Sequence, residues 1–72
     1  MAAEMIRTTA NLAAELATVY TRLVLAEARM ADAAEAGDIA GFDQAREETA
    51  HLWALIERVQ IEMAVVRSAF AA

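Results

Sequence analysis

The sequence predicts an all-α fold: an antiparallel two-helix hairpin that dimerises into a four-helix bundle. Three observations lead there. The 72 residues contain no Pro, and both Gly fall close together, at 37 and 41. On either side of them, large apolar residues recur at alternating steps of three and four, the period of a helical seam. The apolar arc of the first segment is also wider than one neighbouring helix requires.

The first helix is expected over about residues 3–36. Its seam is Met5, Leu12, Leu16, Val19, Leu23, Ala26, Met30 and Ala33, with Thr9 holding one position. Glu4, Asn11, Glu15, Thr18, Arg22 and Arg29 form the polar stripe. The turn is expected at 37–38. Gly37 suits the left-handed position that ends a helix. Asp38 suits the N-cap, where a carboxylate accepts from exposed backbone N–H groups. The second helix is expected from 39 to about 70. Its seam is Phe42, Ala45, Thr49, Leu52, Ile56, Val59, Met63, Val66 and Phe70. At about 1.5 Å per residue each helix is roughly 45–50 Å long. A turn this short makes them antiparallel neighbours. Residues 1–72 read as a single hairpin domain without internal repeats.

Charge narrows the function. Six Arg and no Lys face eleven Asp and Glu, for a net charge of −5. Phosphate backbones are held by clustered basic side chains, so nucleic acid is not an expected partner. With no Cys there is no disulfide, thiolate nucleophile or cysteine-based metal site. The longest run free of Asp, Glu and Arg is 49–56, far short of the roughly 20 apolar residues of a membrane span. Glu4 and Arg7 interrupt the only stretch resembling a signal-peptide core. No membrane partner is expected, and a cytoplasmic address is the default. Arg without Lys suggests a GC-rich genome, bacterial or phage.

The core is thin. Of the 72 residues 20 are Ala, and 23 are large apolar residues. Chains this small rarely stand alone without a staple or a partner. The unused apolar surface is therefore the expected interface. At about 100° per residue, Ile6, Ala13, Ala17, Tyr20, Val24 and Ala31 cluster about 80–140° to one side of the first seam. Trp53 and Gln60 lie about 90° off the second seam. Antiparallel pairing brings both groups to one flank. Ile61 and Val65, beside Ala54 and Ala64, form a smaller patch on the back of the second helix. The expected partner is a second copy, another protein, or both. Trp53 and Tyr20 read as boundary residues covering the dimer seam; the competing role is that of hot-spot anchors.

One motif carries metal chemistry. Glu48-Thr49-Ala50-His51 puts a carboxylate and an imidazole three residues apart on one helix face. The spacing resembles that of ferritin-like di-iron bundles. Glu47, Glu48 and His51 on helix 2, with Glu27 on helix 1, are similar to the ligand cluster of encapsulated-ferritin-like hairpins. That resemblance implies a metal-binding oligomer with Glu27, Glu48 and His51 as candidate ligands. Within one chain the register opposes it. Glu27 falls on the Tyr20 flank and Glu48 and His51 on the other, where Arg29 stands ready to pair with Glu48. Asp32, Glu35, Asp38, Asp43, Glu47 and Glu48 gather around the turn and read as a solvated end. No Ser or Cys accompanies the single His, and no glycine-rich phosphate loop is present. The chain is not expected to be an enzyme or to carry a cofactor.

The expectation is a non-enzymatic protein–protein interaction module, acidic and helical, of a chaperone, adaptor or inhibitor kind. Its long helix, Gly-Asp-x-x-x-Phe turn and long helix resemble the small helical co-chaperones of type III secretion needle subunits and the flagellar export chaperones. Its composition is similar to that of small phage inhibitors such as anti-CRISPR proteins. The alternatives are the ferritin-like metal-binding oligomer and a purely structural accessory subunit.

Overall fold

Two residues reverse the chain. In the computed structural model, which describes residues 9–71, helix α1 (Thr9–Ala36) ends at Gly37, and helix α2 (Ile39–Ala71) begins after Asp38. Gly37 has φ +71°, the left-handed conformation. Its N–H donates to the Ala34 carbonyl at 3.2 Å, and the Asp38 N–H donates to the Ala33 carbonyl at 2.8 Å. This crossed pair is a Schellman ending, which satisfies carbonyls that the helix leaves orphaned. Asp38 then caps α2: the Gly41 N–H donates to Asp38 Oδ1 at 3.0 Å. One residue thus closes the first helix with its backbone and opens the second with its side chain.

Gly41 lies inside the first turn of α2. A Cβ there would collide with the Asp38 carboxylate. The second glycine therefore makes room for the cap, and is needed for space rather than for an unusual φ.

The helices form a hairpin 53 Å long and 21 × 15 Å across. Leu12, Val19, Leu23, Ala26 and Ala33 of α1 are buried against Ala45, Thr49, Leu52, Ile56 and Val59 of α2. The seams meet antiparallel, as the period requires. Val19, Leu23, Ala26, Leu52 and Ile56 form the centre of the core, with Leu16 and Leu55 packed beside it. Small residues dominate near the turn (Ala26, Ala33, Ala45), and larger ones fill the far half. Burial of each Leu or Ile contributes about 1.5–3 kcal/mol. Thr49 is the one buried polar residue of the seam. Its hydroxyl donates to the Arg46 carbonyl at 2.7 Å, so no buried donor is left over.

One seam expectation is corrected. Phe70 is 79% exposed rather than buried. The seam pairs residues whose numbers total about 78, as in Ala26 with Leu52 and Val19 with Val59. Phe70 is therefore level with residue 8, just past the described start of α1. Thr9 is likewise exposed. Met5, Ile6 and the expected start of the first helix near residue 3 fall outside the described residues.

Candidate interaction surface

The hairpin has two flanks, and an ion pair tells them apart. Arg29 on α1 donates to Glu48 on α2 at 2.5 Å. This bond marks one flank. Glu48, Gln44 and Gly41 of α2 face Arg29 and Asp32 of α1 across a cleft of about 450 Å³ that runs toward the turn. His51, three residues past Glu48, continues this flank and is exposed. Arg46, two residues from Glu48 and so about 200° around α2, pairs instead with Asp43, at 3.5 Å.

The opposite flank is found by helical arithmetic. Tyr20 is nine residues from Arg29, about 180° around α1. Val24 and Trp53 are each five residues from Arg29 and Glu48 respectively, about 140° away. Here Tyr20 is 38% exposed, Val24 63% and Trp53 52%. Ala13 and Ala17 lie on the same flank and are exposed. Their small side chains leave the α1 backbone approachable beside Tyr20. Closer to the turn an apolar depression of about 200 Å³ is lined by Ala33, Ala34, Gly37, Ile39 and Phe42, with Asp38 at its edge. Ala34 is two heptads from Tyr20, and Ile39 is two heptads from Trp53. The depression therefore continues the Tyr20 flank.

Of the expected interface residues, Tyr20, Val24 and Trp53 come together on one flank with Ala13 and Ala17. Ile6 lies outside the described residues. Ile61 and Val65 are exposed on the back of α2. Two further apolar residues belong to the surface. Leu25 stands exposed on the back of α1, and Ile39 stands exposed at the turn. Leu25 sits in the apolar run Leu23-Val24-Leu25-Ala26, and only its helix-face neighbours Thr21, Arg22 and Arg29 are polar. Ile39 was hidden by its place in the turn.

The three candidate metal ligands are not brought together within one chain. Glu27 is two residues from Arg29, about 200° around α1, and so lies away from Glu48 and His51. Glu48 is engaged by Arg29. Among the described residues no three His, Cys, Asp or Glu side chains come close enough to hold a metal ion. No helix among them is long and apolar enough to cross a membrane.

No protein-family model matches the chain, and no curated protein or solved structure is significantly similar to it.

Proposed function

We propose that this chain is a non-enzymatic protein–protein interaction module that works as a homodimer, a four-helix bundle built from two hairpins. The exposed Tyr20–Val24–Trp53 flank carries this reading. Large aromatic and branched side chains that share one face of a small protein mark an interface more often than they do a free surface.

Area supports it. The chain exposes 5361 Å², whereas a globular protein of its mass exposes about 4,400 Å². Two copies merged into one globule would expose roughly 7,300 Å². Reaching that would bury about 3,500 Å² in total, the range of obligate dimers. Two helices alone leave one side of each apolar arc open to water; a second hairpin closes it.

The test is native mass spectrometry with circular dichroism on the wild type and on Tyr20→Glu and Val24→Glu. The wild type is expected to be a metal-free dimer whose mass does not change on adding iron or zinc. Each substitution is expected to give monomer with reduced helicity. A helical wild-type monomer at millimolar concentration overturns the reading. So does a Tyr20→Glu variant that dimerises as well as the wild type. A metal-dependent higher oligomer would return Glu48 and His51 to the role of ligands.

A further inference from the structure

We infer that the second copy packs upside down against the Tyr20–Val24–Trp53 flank, its turn at the far end of the bundle. The two-fold axis lies in the interface and crosses both helices near their midpoints. In that dimer α1 packs on α1 and α2 on α2, each pair antiparallel. The inference rests on the self-association reading above and adds its geometry.

Charge favours this orientation over the parallel one. Among the described residues, those from 27 to 51 carry seven carboxylates against Arg29 and Arg46 alone. The remainder carry three carboxylates (Glu15, Glu57, Glu62) against three arginines (Arg22, Arg58, Arg67). The net charge of the described chain therefore sits in the half nearest the turn. A parallel dimer would bring two strongly acidic ends side by side. An antiparallel dimer sets each acidic end beside a neutral one. It sets the centres of the two acidic clusters about 30 Å apart along the bundle. That distance is several times the Debye length of about 8 Å at physiological salt.

Shape fixes the axis. Trp53, Val24 and Tyr20 lie 14, 15 and 19 residues from Ile39 along their helices, about 21–29 Å from the turn. That is the middle of the rod. An axis there sets Tyr20 of one copy level with Val24 of the other. The same axis relates two features at opposite ends of the hairpin. Phe70, 79% exposed, lies about 46 Å along α2 from Ile39. The apolar depression beside Ile39 and Phe42 lies within about 5 Å of the turn. Their midpoint is again about 25 Å. Phe70 is also four heptads beyond Phe42, so both keep the same edge of the seam. In the antiparallel dimer Phe70 of each copy reaches the depression of the other. In the parallel dimer Phe70 lies at the far end of the rod from the depression of the other copy.

The chain has no Cys, so one introduced thiol can be labelled alone. Ala40→Cys puts a nitroxide on the exposed face of α2 at the turn. Double electron–electron resonance on the full-length dimer is expected to give a distance of about 50 Å, from the length of a helix of this size. A distance on the order of 20 Å, set by packed helices side by side, overturns the orientation while leaving the dimer intact. Absence of any dimer by native mass overturns the self-association reading itself. As a second readout, Phe70→Glu is expected to raise the dimer dissociation constant at least tenfold, with helicity unchanged at a concentration where both proteins are dimeric. An unchanged constant removes Phe70 from the interface.

Discussion

The two flanks of this hairpin use the same helices and the same seam, yet they finish differently. One is closed within the chain. Arg29 reaches Glu48, and polar side chains line the cleft beside them. The other presents Tyr20, Val24 and Trp53, with Ala13 and Ala17 beyond Tyr20, and its depression near the turn is lined mostly by Ala, Ile and Phe. A surface that needs only water is satisfied by the first arrangement. The second gains from removing water, because apolar area is worth about 25 cal/mol per Å² once buried. A thin core explains why this matters. The seam buries a single row of side chains per helix, so a large share of the available hydrophobic free energy remains on one flank.

The sharpest way to break this contrast is to remove a side chain from each flank. Trp53→Ala is expected to weaken dimerisation by about 2 kcal/mol or more, near 30-fold, as expected for an interface anchor. Arg22→Ala on the charged flank is expected to change stability by less than about 0.5 kcal/mol. Analytical ultracentrifugation and urea unfolding read the two quantities. Equal effects on dimerisation would mean that both flanks are covered, or neither.

The turn is the next test, because it serves both flanks alike. Gly37→Ala forces a Cβ into φ +71° and is expected to cost about 1–2 kcal/mol. Asp38→Ala removes the cap on the Gly41 N–H and is expected to cost about 1 kcal/mol. Both losses should show in the urea midpoint. Gly37 and Asp38 also line the depression that receives Phe70 in the proposed dimer, so a shift in the dimer constant, measured where the chains are fully folded, would support that contact.

What was legible in the sequence follows the same division between seam and surface. Steps of three and four identified Leu12, Val19, Leu23, Leu52, Ile56 and Val59 as core, because burial between two helices follows from the period. Gly37 and Asp38 announced the reversal, because few residues tolerate a left-handed turn or cap a helix well. The register also brought Arg29 level with Glu48. Phe70 was not legible. Periodicity says which way a residue faces, but not how much of it a neighbour covers. The expected turn ended at 38, so nothing in the spacing gave Gly41 a role. Its reason is the position of the Asp38 carboxylate, a contact in three dimensions that no spacing rule encodes. Leu25 and Ile39 break the pattern singly, and a single exposed apolar residue carries little weight. The apolar flank was legible as an excess over one seam; the orientation proposed for a second copy draws on charges and shape along the whole rod.

The smallest effect tests the charged flank on its own terms. Arg29 and Glu48 are 54% and 37% exposed in their side chains, so water screens the pair. A double-mutant cycle with Arg29→Ala and Glu48→Ala is expected to give a coupling below about 1 kcal/mol. Added salt should shrink it further, since screening acts fully on exposed charges. The cycle is best run in denaturant at two ionic strengths, with the dimer population held constant. A coupling near 2 kcal/mol, indifferent to salt, would mean that the pair is withdrawn from water in the assembled protein. The flank closed by charge would then be an interface as well, and a two-hairpin bundle joined through Tyr20, Val24 and Trp53 would be only part of the assembly. A small, salt-sensitive coupling keeps the two flanks distinct and leaves the apolar one as the proposed docking surface for a second copy.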